Sequence, residues 1–528
     1  MNCMKSWAFR TFAVLLALLA VAMPALAAKK APPKPAPQAA PELSPSLPKP
    51  WPVQRFVLDN GMRVVVHTDR SAPIVALGIL VDVGSRDEVA GKSGLAHFFE
   101  HMMFQGSKHS GKMEHIGRLE AQGAEVNANT SADRTWYYEV VPRPALQLAL
   151  WLEADRFEHL GIDQKNVDNQ RQAVLAEMAE RIDNQPLARA SLEVEAKTFA
   201  SWEMGHPTIG SAEDLQKAPL QDFVEFWKHW YSPSNCVVVL SGDIDVEQAR
   251  PLLADTLAKV LRRGDPKHTE RKEAEPAGHV ALSVPDPLAK SAAVHVAWRV
   301  PAYPATDSCA LDLLGQVLGG DESSRLEKRL VREKPLAVSY FAGTHGRRDA
   351  DLFHVSAELA NGSPAALVEV KKRIGEELLA IALHGVSDAE LQRARLAFEA
   401  AWIEAATKPE VRAELLAQFE TWLGDAGKVA ELLPRYRAVT AADVQRVARQ
   451  YLTWDRQVEI DAIPASWLPA KTAGKPEWVV KGEKALVAQR AKEEADAKRV
   501  VVSPVALPDA ATAATLPQAA SPSAPEAK

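Results

Sequence analysis

The sequence predicts an α+β protein of two domains of like design, each an antiparallel-rich sheet packed with helices. Three observations predict it. The chain has 528 residues with 47% hydrophobic content, enough for two or more domains with sizeable cores. Residues 263–278 carry many charges together with Gly and Pro and few apolar side chains, the composition of an interdomain linker. Beyond them the outline of strand, helix and paired long helices repeats.

The first domain spans 51–262. Residues 54–58 alternate, Asp59-Asn60-Gly61 makes a tight turn, and 62–67 return as the second arm of a hairpin. A third strand covers 74–83. Between Leu95 and Phe104 there is no Pro or Gly, and the apolar residues recur at helical spacing. Strands follow at 124–130 and 135–141, then long helices at 145–158 and 164–181 and a strand at 236–240. The second domain, 279–468, has a strand at 291–298, a helix at 306–318, a break at Gly319-Gly320 and a short helix at 325–332. A strand at 353–358 and long helices at 364–383 and 388–406 complete it.

The ends read differently. Lys5 and Arg10 begin a basic segment, 11–23 are apolar, and Ala25-Leu26-Ala27 is an A-x-A cleavage site, so 1–27 are expected to be a secretory signal. The apolar run is short for a membrane span and no Cys follows the cleavage site, so no stable membrane anchor is expected. Residues 28–50 are an Ala/Pro-rich linker, and 469–528 a tail, charged over 477–499 and then rich in Ala and Pro. The formal charge of −6 becomes −8 when Lys5 and Arg10 are removed; no basic stripe stands out, which argues against nucleic acid as a partner. Cys236 lies in an apolar strand-like run and Cys309 on an apolar helix; both read as buried free thiols.

The most informative stretch is His97-Phe98-Phe99-Glu100-His101, an H-x-x-E-H pattern on the helix of 95–104. Two histidines four residues apart lie on one helical face and can share one zinc ion. Glu100 sits beside them, placed to take a proton from a water at the metal. A catalytic zinc site also needs a third protein ligand and an open fourth position. Glu177, near the end of the helix at 164–181, is a candidate, with Glu180 as its competitor.

These residues resemble the pitrilysin/insulinase family of zinc metallopeptidases, which includes the mitochondrial processing peptidase. There H-x-x-E-H is followed by N-[EQ]-R-x-x-V-x-x-E, matched here by Asn169-Gln170-Arg171-Gln172-Ala173-Val174-Leu175-Ala176-Glu177. Leu58-Asp59-Asn60-Gly61-Met62, Gly84-Ser85-Arg86-Asp87-Glu88, Asn127-Ala128-Asn129-Thr130, Gly205-His206-Pro207 and Gly242-Asp243 also match, in the family's order. The resemblance implies a pitrilysin-like fold and one zinc per chain. It makes His97, His101 and Glu177 the ligands and Glu100 the general base. It makes Asn127, Ala128, Asn129 and Thr130 an edge strand that pairs with substrate backbone. Gln170, seven before Glu177 and on its helical face, stands where several relatives carry Glu; it suits a hydrogen bond to a ligand as well as it suits a plain helix surface. His109, His115, His159 and His206 lack ligand spacing and read as surface or packing residues.

One departure matters. Single-chain relatives carry an Arg and a Tyr in the second half that close over the site, in a form like L-R-x-K-x-G-x-x-Y. The aligned positions here are Val331 and Val338, with Arg332 and Tyr340 as shifted substitutes. The chain also has two family-type domains where long members have four. Both observations imply a second subunit, either another copy or a metal-free homologue supplying the Arg–Tyr pair, the latter fitting better. The expected function is an exported zinc endopeptidase acting on peptides or unfolded segments in a two-subunit chamber, in the periplasm of a Gram-negative bacterium. The alternatives are a maturation peptidase with one dedicated substrate, a catalytically silent assembly subunit and a non-hydrolytic metal-binding protein. The intact H-x-x-E-H argues against silence, and metal storage has no need of Glu100.

Overall fold

The computed structural model describes residues 51–269, 273–274, 278–467 and 474–500; the expected signal, the linker 28–50 and the tail from 501 lie outside the described residues. The first sheet contains β1 (Val53–Val57), β2 (Arg63–Thr68), β3 (Ile74–Val81), β4 (Glu125–Thr130), β5 (Thr135–Pro142) and β6 (Cys236–Gly242), in the order β1-β2-β6-β3-β5-β4. Only β2 and β6 run parallel; the other pairs are antiparallel. β3 and β6 are central and nearly continuous in apolar residues, as strands covered on both faces must be. On one face Val64, Val66, Leu77 and Ile79 pack with Phe98 and Phe99 of the H-x-x-E-H helix, Leu95–Met102.

The second sheet holds β7 (Val280–Asp286), β8 (Ala293–Pro301), β9 (Ala337–Thr344), β10 (Ala350–Leu359) and β11 (Val458–Pro464), ordered β7-β11-β8-β10-β9. Here β7 and β11 are the parallel pair and the rest are antiparallel. β7 to β11 therefore repeat β2 to β6 strand for strand, in neighbour and in direction; β1 is the addition.

The two halves exchange helices. Helix Pro409–Leu423, from the second half, lies on β3 and β6 of the first sheet. Its Ala413, Leu416 and Ala417 are buried in a core shared with Val65, Ala76, Val237 and Val239. Pro409 opens it at a position where a missing N–H costs nothing, and Gly424, in the left-handed region at φ 66°, closes it. In return, helix Ala188–Thr198 from the first half lies on β8 and β11, with Ala190 and Val194 against Ala297 and Ile460. The sequence reading has neither helix, and it lacks β7, β9 and β11.

Cys236 and Cys309 are free thiols and buried. Burial pushes Cys309 up to about 12. The described residues up to Gly474 form one compact unit; those from Lys475 form another, built on helix Glu477–Val500. No helix among the described residues is long and apolar enough to cross a membrane.

Candidate active site

His97 and His101 stand one turn apart on helix Leu95–Met102, ring centroids 4.9 Å from each other. Helix Gln164–Met178, capped at its start by Asp163 accepting from Asn166 N, carries Glu177 to meet them. Glu177 Oε2 lies 3.2 Å from His101 Nε2, and Oε1 lies 3.8 Å from His97 Nε2. One donor atom from each residue falls within 4.8 Å of the others. Two imidazole nitrogens and a carboxylate oxygen converging in this way match the donor set that catalytic zinc sites use. Just past Glu177 the helix widens into a π turn, Ala179–Asp183, whose Arg181 Nη2 reaches Glu177 Oε1 at 2.9 Å. Glu180, on that turn, is exposed to solvent.

The electrostatics differ between the three residues. Burial pulls His97 below the ordinary imidazole range, toward the neutral form that a metal takes. Burial also works against charge on His101, but the hydrogen bond to Glu177 and the Glu100 carboxylate outweigh it and raise that ring. Burial opposes ionisation of Glu177 as well; the His101 hydrogen bond, His97 and Arg181 overcome it and hold the carboxyl at about 2.

Glu100 is buried on the same helix and accepts a hydrogen bond from Thr130 Oγ1 at 2.8 Å. Thr130 is the last residue of β4, the edge strand of the first sheet. On that strand Asn127 Oδ1 accepts from Ala128 N at 2.8 Å, and Arg134 Nη1 donates to the Asn129 carbonyl at 3.2 Å. One backbone donor of the strand is thus taken by its own Asn127 side chain. Arg134 is buried and its other guanidinium nitrogen contacts Glu414 on the exchanged helix Pro409–Leu423. Gln170 is buried, and its amide donates to Asn169 Oδ1 at 3.1 Å rather than to Glu177 or a histidine.

The H-x-x-E-H helix is anchored by Glu88, met in the sequence only as part of a matching stretch, and by His206, expected there to be a surface or packing residue and buried here. The Glu88 carboxylate accepts from Gly94 N and Ala96 N, both at 2.7 Å, and so satisfies open N–H groups at the helix start. His206 Nε2 lies 2.9 Å from Glu88 Oε2, and its ring stacks on Trp202 at 3.9 Å. Gly94 has φ 87°, and a Cβ there would fall 2.7 Å from the Ile209 carbonyl oxygen, so only glycine lets that segment pass. At the other end Tyr137 OH donates to the Phe99 carbonyl at 3.0 Å and is itself 2.7 Å from Tyr231 OH. Glu88 and His206 lie in stretches that carry the family resemblance, the one signal that could have marked them.

A second group with metal-type donors, His115, Glu139 and Glu153, is wholly buried. Arg156 already supplies its cation: Nε lies 2.8 Å from Glu153 Oε2 and Nη2 3.4 Å from Glu139 Oε1. His109 pairs with Asp155 at 2.6 Å. Neither belongs to the His97 group.

Tyr340 and Arg332, the shifted substitutes, are both engaged with Glu327 of their own half. Tyr340 OH donates to Glu327 Oε2 at 2.9 Å, and Arg332 Nε lies 3.2 Å from Glu327 Oε1. Val331 is packed against the second core and Val338 is exposed.

Two adjoining family descriptions match the chain. Residues 63–212 match "Insulinase (Peptidase family M16)", and residues 217–398 match "Peptidase M16 inactive domain". The chain belongs to the insulinase family, M16. Among its relatives, an uncharacterized zinc protease of Streptomyces coelicolor is 29% identical over 76% of this chain and 87% of its own length. The zinc protease PqqE of Helicobacter pylori is 26% identical over 75% of this chain and 89% of that protein. A probable mitochondrial-processing peptidase subunit beta of Arabidopsis thaliana is 28% identical over 78% of each. The crystal structure of a protease from Helicobacter pylori superposes with a TM-score of 0.75 at 25% identity, covering 78% of this chain and all of that one. An M16 inactive-domain structure from Pseudomonas fluorescens gives 0.69 at 18% identity, over 80% of this chain and 99% of that one, a likeness of fold. This M16 chain thus has the two-domain fold of its structural neighbours.

Proposed function

We propose that this chain is a zinc-dependent endopeptidase that cleaves peptides or unfolded segments. The convergence of His97, His101 and Glu177 beside Glu100 carries the reading, and the relatives named zinc proteases support it. In it, residues 51–262 are the catalytic half and 279–468 a metal-free half.

His97, His101 and Glu177 hold the zinc. When bound, zinc supplies Lewis acidity and lowers the pKa of a water toward about 7. Glu100 takes the proton of the attacking water and passes it to the leaving amine. Thr130 keeps that carboxylate aimed at the ligands. A substrate segment adds to the outer edge of β4, where it displaces the Asn127 side chain from Ala128 N and takes its place. Backbone pairing of this kind gives affinity with little sequence preference.

The donors for the tetrahedral oxyanion are assigned to a second subunit. Val331 and Val338 have none to give, and Arg332 and Tyr340 are engaged with Glu327. A metal-free homologue bearing an Arg–Tyr pair fits this need better than a second copy; the Arabidopsis relative is itself described as a subunit. The basic start, apolar run and A-x-A site at 1–27 support a periplasmic location for the complex.

The test is metal content and cleavage of a quenched-fluorescence peptide by the chain with its co-purified partner. One zinc per chain is expected, with hydrolysis abolished by a chelator and restored by zinc. Undiminished cleavage by a metal-free sample would overturn the proposal.

A further inference from the structure

We infer that Arg181 is a positioning residue of the His97 site: its guanidinium holds one oxygen of the Glu177 carboxylate and so presents the other to the two histidines. The inference rests on the peptidase reading, in which Glu177 is a ligand. It names a residue that lies outside both matched motifs, H-x-x-E-H and N-[EQ]-R-x-x-V-x-x-E.

The two oxygens of Glu177 have different neighbours. Oε2 lies 3.2 Å from His101 Nε2. Oε1 lies 3.8 Å from His97 Nε2 but 2.9 Å from Arg181 Nη2, and of these two separations the second alone is within hydrogen-bond range. A hydrogen bond between an ionised donor and an ionised acceptor is the stronger class. A glutamate side chain has several rotamers and must be ordered before it can ligate. With Oε1 held by Arg181, that ordering is in place and Oε2 stays turned toward the imidazoles.

The chain builds this contact locally. Glu177 and Arg181 are four apart with the acid on the N-terminal side, the favourable order for a helical ion pair. Past Met178 the backbone leaves the α-helix for the π turn Ala179–Asp183, where Asn184 N donates to Ala179 O at 2.8 Å. The other acids of that turn are directed elsewhere. Asp183 Oδ1 pairs with Arg189 Nη2 at 2.6 Å, and Glu180 is exposed. Further on, Leu187 N donates to Asp286 Oδ2 at 2.6 Å, at the end of β7, so the segment that carries Arg181 is anchored to the second sheet.

Arg181 also sets a positive charge beside a site for a cation. Its side chain is 49% exposed, so water screens that repulsion, whereas the hydrogen bond acts on Glu177 directly. Partners that orient a ligand from behind change metal affinity roughly 10–100-fold. Exposure puts Arg181 at the lower end of that range.

The experiment is competition of the full metal-stripped chain against a chromophoric chelator for Zn²⁺. It compares the unaltered chain with Arg181→Met, Arg181→Lys, Glu177→Gln and the double variant Glu177→Gln/Arg181→Met. Arg181→Met should weaken zinc binding on the order of 10-fold, with the metal-free unfolding midpoint unchanged. Arg181→Lys should recover part of the loss, since an ammonium keeps the charge without the planar fork. In the Glu177→Gln background the Arg181→Met change should have no further effect, because it acts through the carboxylate. Unaltered zinc affinity in Arg181→Met overturns the inference, as does an equal loss with and without the Glu177 carboxylate. Glu177→Gln alone keeps the two failures apart. Full affinity in that variant defeats the ligand assignment itself, whereas lost affinity beside an unaffected Arg181→Met chain defeats only the role of Arg181.

Discussion

Thr130 donates its hydroxyl to Glu100 Oε2 across 2.8 Å, so the last residue of the edge strand steers the carboxylate proposed as the base. A hydrogen bond to a charged group contributes about 1.5–3 kcal/mol. Thr130→Val is expected to lower kcat on the order of 10-fold with zinc content unchanged, and Thr130→Ser to restore most of it. Steady-state kinetics beside metal analysis decide it; a Thr130→Val enzyme with unaltered kcat removes the steering role.

Glu177 faces both histidines whereas Glu180 is exposed. Glu177→Gln should therefore lose zinc during dialysis against a mild chelator, and activity with it, while Glu180→Gln keeps both. A zinc-replete Glu177→Gln protein beside a depleted Glu180→Gln protein would exchange the two assignments.

How far this was legible in the sequence follows from the range of each signal. Helix Leu95–Met102 was readable because its apolar spacing and both histidines lie within two turns. Glu177 was readable through its helix and the family resemblance, although 76 positions separate it from His101. The exchange of helices 188–198 and 409–423 was not. Such a helix shows which of its faces is apolar but not which sheet that face will cover. The pairing of Glu88 with His206 spans 118 positions and leaves no periodic trace. β9 is hidden for another reason: Val338 and Ser339 are both exposed and Ala342 and Gly343 both buried, so the strand offers no period of two to read.

His268, in the segment between the two sheets, bridges Asp82 at 3.2 Å and Asp87 at 3.1 Å. Burial alone would lower its pKa, but the two carboxylates raise it to about 9. A raised folded-state value stabilises the protein fully below the unfolded pKa near 6.5, and that contribution is lost as pH rises through about 9. Denaturant midpoints at pH 6 and pH 9.5 should show a larger fall for the unaltered chain than for His268→Gln. The difference is roughly 1–2 kcal/mol once solvent screening is allowed for. Equal falls in the two proteins would deny the bridge its role.

Arg134 and Glu414 join the two halves beneath the edge strand, and both are buried. Burial raises Glu414 to about 7 even with the guanidinium beside it. Arg134→Met leaves that carboxyl without its partner and should cost about 3 kcal/mol or more in unfolding free energy. Adding Glu414→Leu should recover a good part. A double variant no more stable than Arg134→Met would mean the pair is not what couples these helices and strands.

The central claim is that Glu100 is the base while His97, His101 and Glu177 hold zinc, and Glu100→Gln tests it most directly. Measured with its partner subunit present, this variant should keep one zinc per chain. Its peptide hydrolysis should fall by several orders of magnitude, because base and nucleophile generation fail together. Near-normal turnover by a zinc-loaded Glu100→Gln enzyme would contradict the mechanism.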